Sequence, residues 1–236
     1  MNRNQILRLA AQCVGASLGA GAAVYAAYAG VTWWTYGKRK QARGQQSDQL
    51  LDMFMPDYEV IDRHAIRIDA PAEVALSAAA GMDLESRAVI RAIFRTREWI
   101  LRSKPDDRLR PRGLIREMKF LGWGVLAEIT GVQIVMGAVT QPWNANPVFR
   151  ALPPEEFASF DEPGYVKIIW TLRADPAGKD KSVFRTETRA VATDPESRKK
   201  FRRYWSWLSP GIVAIRVAML PAVKADAEKR RRNIAA

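Results

Sequence analysis

The chain has 236 residues, 48% of them hydrophobic and 26% charged, with 37 Lys and Arg against 25 Asp and Glu. Those fractions exclude wholesale disorder, and one Cys with one His excludes both an intrachain disulfide and a zinc site of the usual Cys/His type. The net charge of +12 favours a polyanionic partner, either nucleic acid or an anionic lipid leaflet.

From Leu9 to Gly37 there is no Asp, Glu, Lys or Arg. A bilayer core needs about 20 mostly apolar residues, whereas a signal-peptide apolar region is shorter. Trp33, Trp34 and Tyr36 end the stretch where ring side chains suit the headgroup layer, and Lys38, Arg39, Lys40 and Arg43 follow. Residues 1–37 therefore read as a transmembrane anchor. A cleaved signal, with Ala27-Tyr28-Ala29 as the cleavage site, and a buried soluble helix are the alternatives. The basic flank favours a cell-membrane protein of one pass with its C-terminal domain in the cytoplasm. Ala11, Gly15, Gly19, Ala23 and Ala27 recur every four positions, so Gly15 and Gly19 can bring two helices together in a homodimer.

Residues 38–56 form a polar, basic linker, and 57–236 read as one domain. Tyr58 to Asp69 alternates as a half-buried strand, with Asp62, His64 and Ile66 on one face. Pro71 opens a helix that Gly81 closes. Helical spacing returns over Ser86 to Arg102, and a polar loop runs to Gly113. Met118 to Ile129 and Gln133 to Thr140 read as extended, joined by a hairpin at Thr130-Gly131. Pro153-Pro154 starts a helical turn. Gly164 to Arg173 places Val166, Ile168, Trp170 and Leu172 on one strand face, with Tyr165, Lys167 and Thr171 opposite. After a turn over Pro176 to Lys181, Ser182 to Thr193 places Phe184, Thr186, Thr188 and Ala190 together, with Arg185, Glu187 and Arg189 opposite. Asp194 as N-cap and Pro195 as first residue open a closing helix of over six turns, which Pro210-Gly211 should kink.

Strand, helices, an antiparallel run and one long amphipathic helix make an α+β order. A single helix cannot fill the hollow of a curved sheet, so a cavity is expected between them.

Three passages resemble the SRPBCC superfamily, the START-like or Bet v 1-like proteins to which polyketide cyclases are related. They are "IDAPAEVALSA" (Ile68 to Ala78), "FRTETRAVATDPESRKKFRRYW" (Phe184 to Trp205) and the strand order between them. "FDEPGYVKIIWTL" (Phe160 to Leu172) is similar to a segment of bacterial members. The likeness spans Tyr58 to Arg232. It implies a helix-grip fold, an antiparallel sheet wrapped around the C-terminal helix, with an apolar pocket. Members bind lipids, sterols, quinones, polyketides or plant metabolites, and a minority are cyclases.

The resemblance and the parity of the strands together give the candidate ligand-binding residues: Asp62 and His64, Trp123 and Trp170, Thr186 and Thr188 from the strands, and Trp205, Leu208 and Ile212 from the closing helix. Inward hydroxyls of Thr186 and Thr188 would orient an oxygenated ligand. Asp62 and His64 read either as a general-base pair or as a satisfied polar pair at a strand end. Glu128 reads either as a ligand contact or as a surface ladder residue. There is no phosphate loop, nucleophile elbow or metal constellation, so no catalytic residue, metal or cofactor is assigned. Eleven basic and four acidic residues fall between Arg87 and Lys119, and five basic ones between Arg198 and Arg203. The aromatics among them keep core periodicity, which favours an anionic membrane surface and speaks against nucleic acid. The function expected is membrane-tethered binding or transport of a lipid or other apolar small molecule. A cyclase-type enzyme and a non-catalytic scaffold with a closed pocket are the alternatives.

Overall fold

Continuous apolar strands and one long amphipathic helix account for most of the architecture. The computed structural model describes residues 23–36, 40–41, 48–83 and 109–235, with the single positions 95 and 102. The expected span over residues 1–22, the glycines Gly15 and Gly19, and nearly all of the expected helix over Ser86 to Arg102 lie outside the described residues.

Residues 23–35 form α1. The elements that follow are β1 (Lys40–Gln41), α2 (Gln49–Phe54), β2 (Asp57–Tyr58), β3 (Val60–Ile68), α3 (Ala72–Ala80) and α4 (Leu114–Phe120). Then come β4 (Gly124–Ile129), β5 (Gln133–Thr140), β6 (Phe149–Arg150), α5 (Pro154–Phe157), β7 (Val166–Pro176), β8 (Ser182–Ala192) and α6 (Pro195–Ala235). β3, β8, β7, β5 and β4 pair in that order, all antiparallel, with β6 on β5. This is a mixed α+β fold: an antiparallel sheet with a long C-terminal helix, as expected.

Register aligns the inner face. Asp62, Thr188, Trp170 and Met136 form one row across the sheet, and His64, Thr186, Leu172 and Ile134 the next. α6 packs on this face against β3, β8 and β7, with α3 beside it. Met219, Val223 and Ala227 of α6 join Met136, Trp170, Leu172 and Phe184 in one cluster. Phe201 and Trp205 join Val60, Val166, Ala190 and Ala192 in another. Fully burying a side chain such as Phe184 or Leu172 contributes roughly 1.5–3 kcal/mol, so these two clusters hold the helix to the sheet.

The outer face is covered as well. Leu51, Phe54 and Met55 pack with Tyr58, Val135, Val139, Phe157 and Ile169. β5 is buried along its whole length, and Ile168 and Ile169 of β7 point opposite ways. Such runs signal a strand covered on both faces. α2 falls within 38–56, which the sequence presents as a polar linker; its apolar residues Leu51, Phe54 and Met55 seal the sheet. Gly137 is required on this side, since a Cβ there would lie 2.4 Å from Leu126 Cδ1 and 3.0 Å from Phe157.

One stretch differs from expectation. Met118 to Phe120 are helical, not extended. Gly113, at φ 99°, turns the chain into α4, which buries Leu114 and packs Ile115 and Met118 on the inner cluster. Elsewhere the hairpin closes on Gly131 at φ 74°, and α6 runs through Pro210 and Pro221 without a break. Asp194 caps α6 as expected. Its Oδ1 accepts from the Glu196 and Ser197 amides at 2.8 and 3.0 Å, and its Oδ2 from the Gly164 amide at 2.7 Å. The Ser197 hydroxyl and these amides hold the Asp194 carboxyl far below the usual carboxylate range.

By length and composition α6 could cross a membrane. Its buried residues on the sheet make it the core helix of the domain.

Candidate functional site: a polar seat between two apolar clusters

The two inner clusters do not merge. Between them, β3 and β8 present Asp62, His64, Thr186 and Thr188, and α6 presents Arg216. Ile212, Arg216, Met219 and Val223 follow the helical repeat, which directs Arg216 to the sheet like its apolar neighbours. The His64 Nε2–H donates to Asp62 Oδ1 at 2.8 Å. Arg216 Nη1 donates to Thr186 Oγ1 at 3.0 Å. Arg216 Nε lies 3.3 Å from Asp62 Oδ2, near enough for Coulomb attraction but out of line for a hydrogen bond.

Desolvation pushes the Arg216 guanidinium below its usual pKa, and the Asp62 carboxylate opposes that shift. The Thr188 hydroxyl is buried and makes no hydrogen bond among the described residues. A buried unpaired hydroxyl costs roughly 1–3 kcal/mol. The seat therefore holds more hydrogen-bonding capacity than the protein itself uses.

The sequence candidates fall into three groups. Asp62, His64, Thr186 and Thr188 come together at the seat. Trp170 lies beside Thr188 in register, and Trp123 meets it edge-on at 6.1 Å while stacking on Phe149 at 5.0 Å. Trp205 and Ile212 pack in the second cluster, whereas Leu208 is half-buried and joins neither. Glu128 is exposed on β4, the edge strand. Tyr165, Lys167 and Thr171 lie on the outer face. There Lys167 Nζ donates to the Ala158 carbonyl at 2.7 Å, and burial pushes its ammonium pKa down. Thr171 donates to the Ile134 carbonyl at 3.0 Å.

Sequence reasoning missed Arg216. Its signal was present: it is the only charged residue between Tyr204 and Val223, and it shares their buried face. It also missed the ion pairs under α2. Arg189 is fully buried, bonds Glu187 at 2.7 Å and Asp52 at 2.5 Å, and donates to the Met55 carbonyl at 2.9 Å. Arg63 reaches the other Glu187 oxygen at 2.7 Å. Strand alternation places Glu187 and Arg189 on the face opposite Thr186 and Thr188 but does not show that α2 covers that face.

α1 docks beside the second cluster. Tyr36 meets Trp205 edge-on at 5.9 Å, the Tyr28 hydroxyl lies 3.2 Å from Ser209 Oγ, and Arg202 Nε donates to the Trp33 carbonyl at 2.6 Å. Tyr25 donates to the Trp207 carbonyl. Ala29 and Thr32 are buried against the domain, while Val24, Val31 and Trp34 face outward.

The class defined by this fold is an α+β domain with an antiparallel sheet, a long closing helix and a polar seat between them. No protein-family model and no curated protein matches the sequence. Among solved structures it is similar to CalU16 from Micromonospora echinospora, at 13% identity over 84% of this chain and 95% of that one, with a TM-score of 0.27. The di-domain ARO/CYC BexL from the BE-7585A biosynthetic pathway matches at 18% over 72% of this chain and 46% of its own, TM-score 0.25. Zhui aromatase/cyclase from Streptomyces sp. R1128 matches at 14% over 72% of this chain and 94% of its own, TM-score 0.23.

Proposed function

We propose that the protein is a membrane-held binding domain for an apolar small molecule, lipids included, which enters between the sheet and α6 and places its polar end at the seat. The observation that carries this is the Thr188 hydroxyl, buried and unpaired, in register with the Asp62 that faces Arg216 and between two apolar clusters. A ligand oxygen would give this hydroxyl an acceptor, and the ligand's apolar body would meet Trp170 and Trp205. Membrane attachment is supported by the outward Val24, Val31 and Trp34 of α1. Exposed Lys199, Arg203, Lys229 and Arg232 near the ends of α6 suit an anionic cytoplasmic leaflet. A tether of this kind raises the effective concentration of binding site near bilayer. Self-association through Gly15 and Gly19 belongs to the same proposal and is tested by crosslinking in membranes. Native mass spectrometry of the full chain released from membranes tests the binding: a retained apolar adduct is expected, and its absence refutes the reading.

The Asp62–His64 hydrogen bond favours a second reading, in which this pair acts as general base in a cyclase-type reaction. A turnover unchanged by His64→Ala removes it.

A further inference from the structure

We propose that the molecule taken at the seat is a monoanionic acid, a carboxylate on an apolar body, recognised by Arg216 with the hydroxyls of Thr186 and Thr188. This rests on the reading of the seat as a ligand site.

The donor and acceptor inventory points to it. Arg216 carries five N–H donors and no acceptor, and it stays charged at neutral pH even when desolvated. Among the described residues its partners are one neutral hydroxyl, on Thr186, and one carboxylate oxygen that it faces without a hydrogen bond. That carboxylate is shared, because His64 occupies its other oxygen at 2.8 Å. Thr186 accepts from Arg216 and so keeps its own proton to donate, and the Thr188 hydroxyl is uncommitted. The seat thus offers spare guanidinium N–H groups and two O–H donors. A group made only of acceptors fits that set, and a guanidinium pairs with a carboxylate in a fork that an alcohol cannot complete. The charge count favours a monoanion over a dianion: Asp62 already offsets Arg216, so a carboxylate leaves the seat one negative charge in excess and a phosphate dianion leaves two. Burial in an apolar surround strengthens the discrimination, since a neutral head would leave the guanidinium donors unmet.

The test uses the detergent-purified full chain with two probes of equal chain length, radiolabelled oleate and oleyl alcohol. Wild type is expected to bind oleate about tenfold or more tightly than the alcohol. Arg216→Gln should bring the two affinities together by weakening oleate alone. Thr188→Val, nearly isosteric and with no hydrogen bond of its own to lose, should weaken oleate several-fold while its circular dichroism matches wild type; it decides the matter if Arg216→Gln does not fold. Equal affinities for both probes in wild type overturn the acid assignment and leave the binding function standing. Oleate affinity unchanged in Thr188→Val and Arg216→Gln overturns the assigned residues. Binding of neither probe overturns the binding function and the acid assignment together.

Discussion

Breaking the Asp62–Arg216 pair separates a structural from a functional origin for the polar seat. Asp62→Asn keeps the shape and the His64 contact but leaves Arg216 with Thr186 alone. Arg216→Met keeps the volume and helix propensity but leaves the outer Asp62 oxygen facing apolar surroundings. Removing one member of a buried ion pair costs about 3–5 kcal/mol. Here the 3.3 Å approach lacks hydrogen-bond alignment and the Arg216 side chain is 16% exposed, so about 2–4 kcal/mol is expected for each single variant. The double variant removes both charges together. It should lie within about 1 kcal/mol of wild type or exceed it, because burying the pair is itself expensive. The coupling energy should then be about 3 kcal/mol or more. Urea unfolding of the full chain in detergent, followed by circular dichroism at constant m-value, measures all four corners. Single effects that simply add, with coupling below about 0.5 kcal/mol, would refute the reasoning. A double variant as stable as wild type that no longer binds ligand would show that the pair is kept for recognition, not for the fold.

Asp194→Ala removes the α6 cap and the tie to Gly164, and should destabilise by about 2 kcal/mol, a melting-point fall of several degrees. The carboxyl's folded pKa is depressed, so its stabilisation is full above the unfolded value near pH 4 and fades as pH falls below it; Asp194→Asn should flatten the acid limb of a stability–pH profile. Arg189→Met strips the partner shared by Asp52 and Glu187 beneath α2 and should cost about 3 kcal/mol, with earliest loss of amide protection in α2 by hydrogen exchange. Gly137→Ala drives a methyl into Leu126 and Phe157 and should cost about 1–3 kcal/mol in the same urea assay, while Gly178→Ala, with nothing within 4 Å of its added carbon but a φ of 132°, reports the cost of backbone strain alone.

The strands were legible because their apolar residues alternate or run continuously, and α6 because Asp194-Pro195 opens a repeat that Phe201, Trp205, Ile212, Met219 and Val223 sustain. What escaped has physical causes. α4 is a single short helical stretch whose Leu114, Ile115 and Met118 fit either period, so only the Gly113 turn and the packing decide it. α2 hides between Gln, Ser and Asp residues that read as linker. Arg63, Glu187 and Arg189 alternate as solvent-facing residues should, but α2 covers them, and alternation cannot report what another segment will cover. Four residues of the seat were visible from strand parity. Arg216 required knowing that a charged residue can hold the buried face of a helix when a carboxylate and a hydroxyl await it on the facing strands.

Photolabelling addresses the central claim most directly. Full-length protein in nanodiscs would be irradiated with a fatty acid carrying a diazirine near its carboxyl end, and the modified peptides mapped by mass spectrometry. Crosslinks concentrated on β8 around Thr186 and Thr188 and on α6 around Ile212 and Arg216, competed by unlabelled oleate, are the expected result. Labelling confined to α1 or to the outer face under α2, or unaffected by the competitor, would contradict a seat between the sheet and its closing helix.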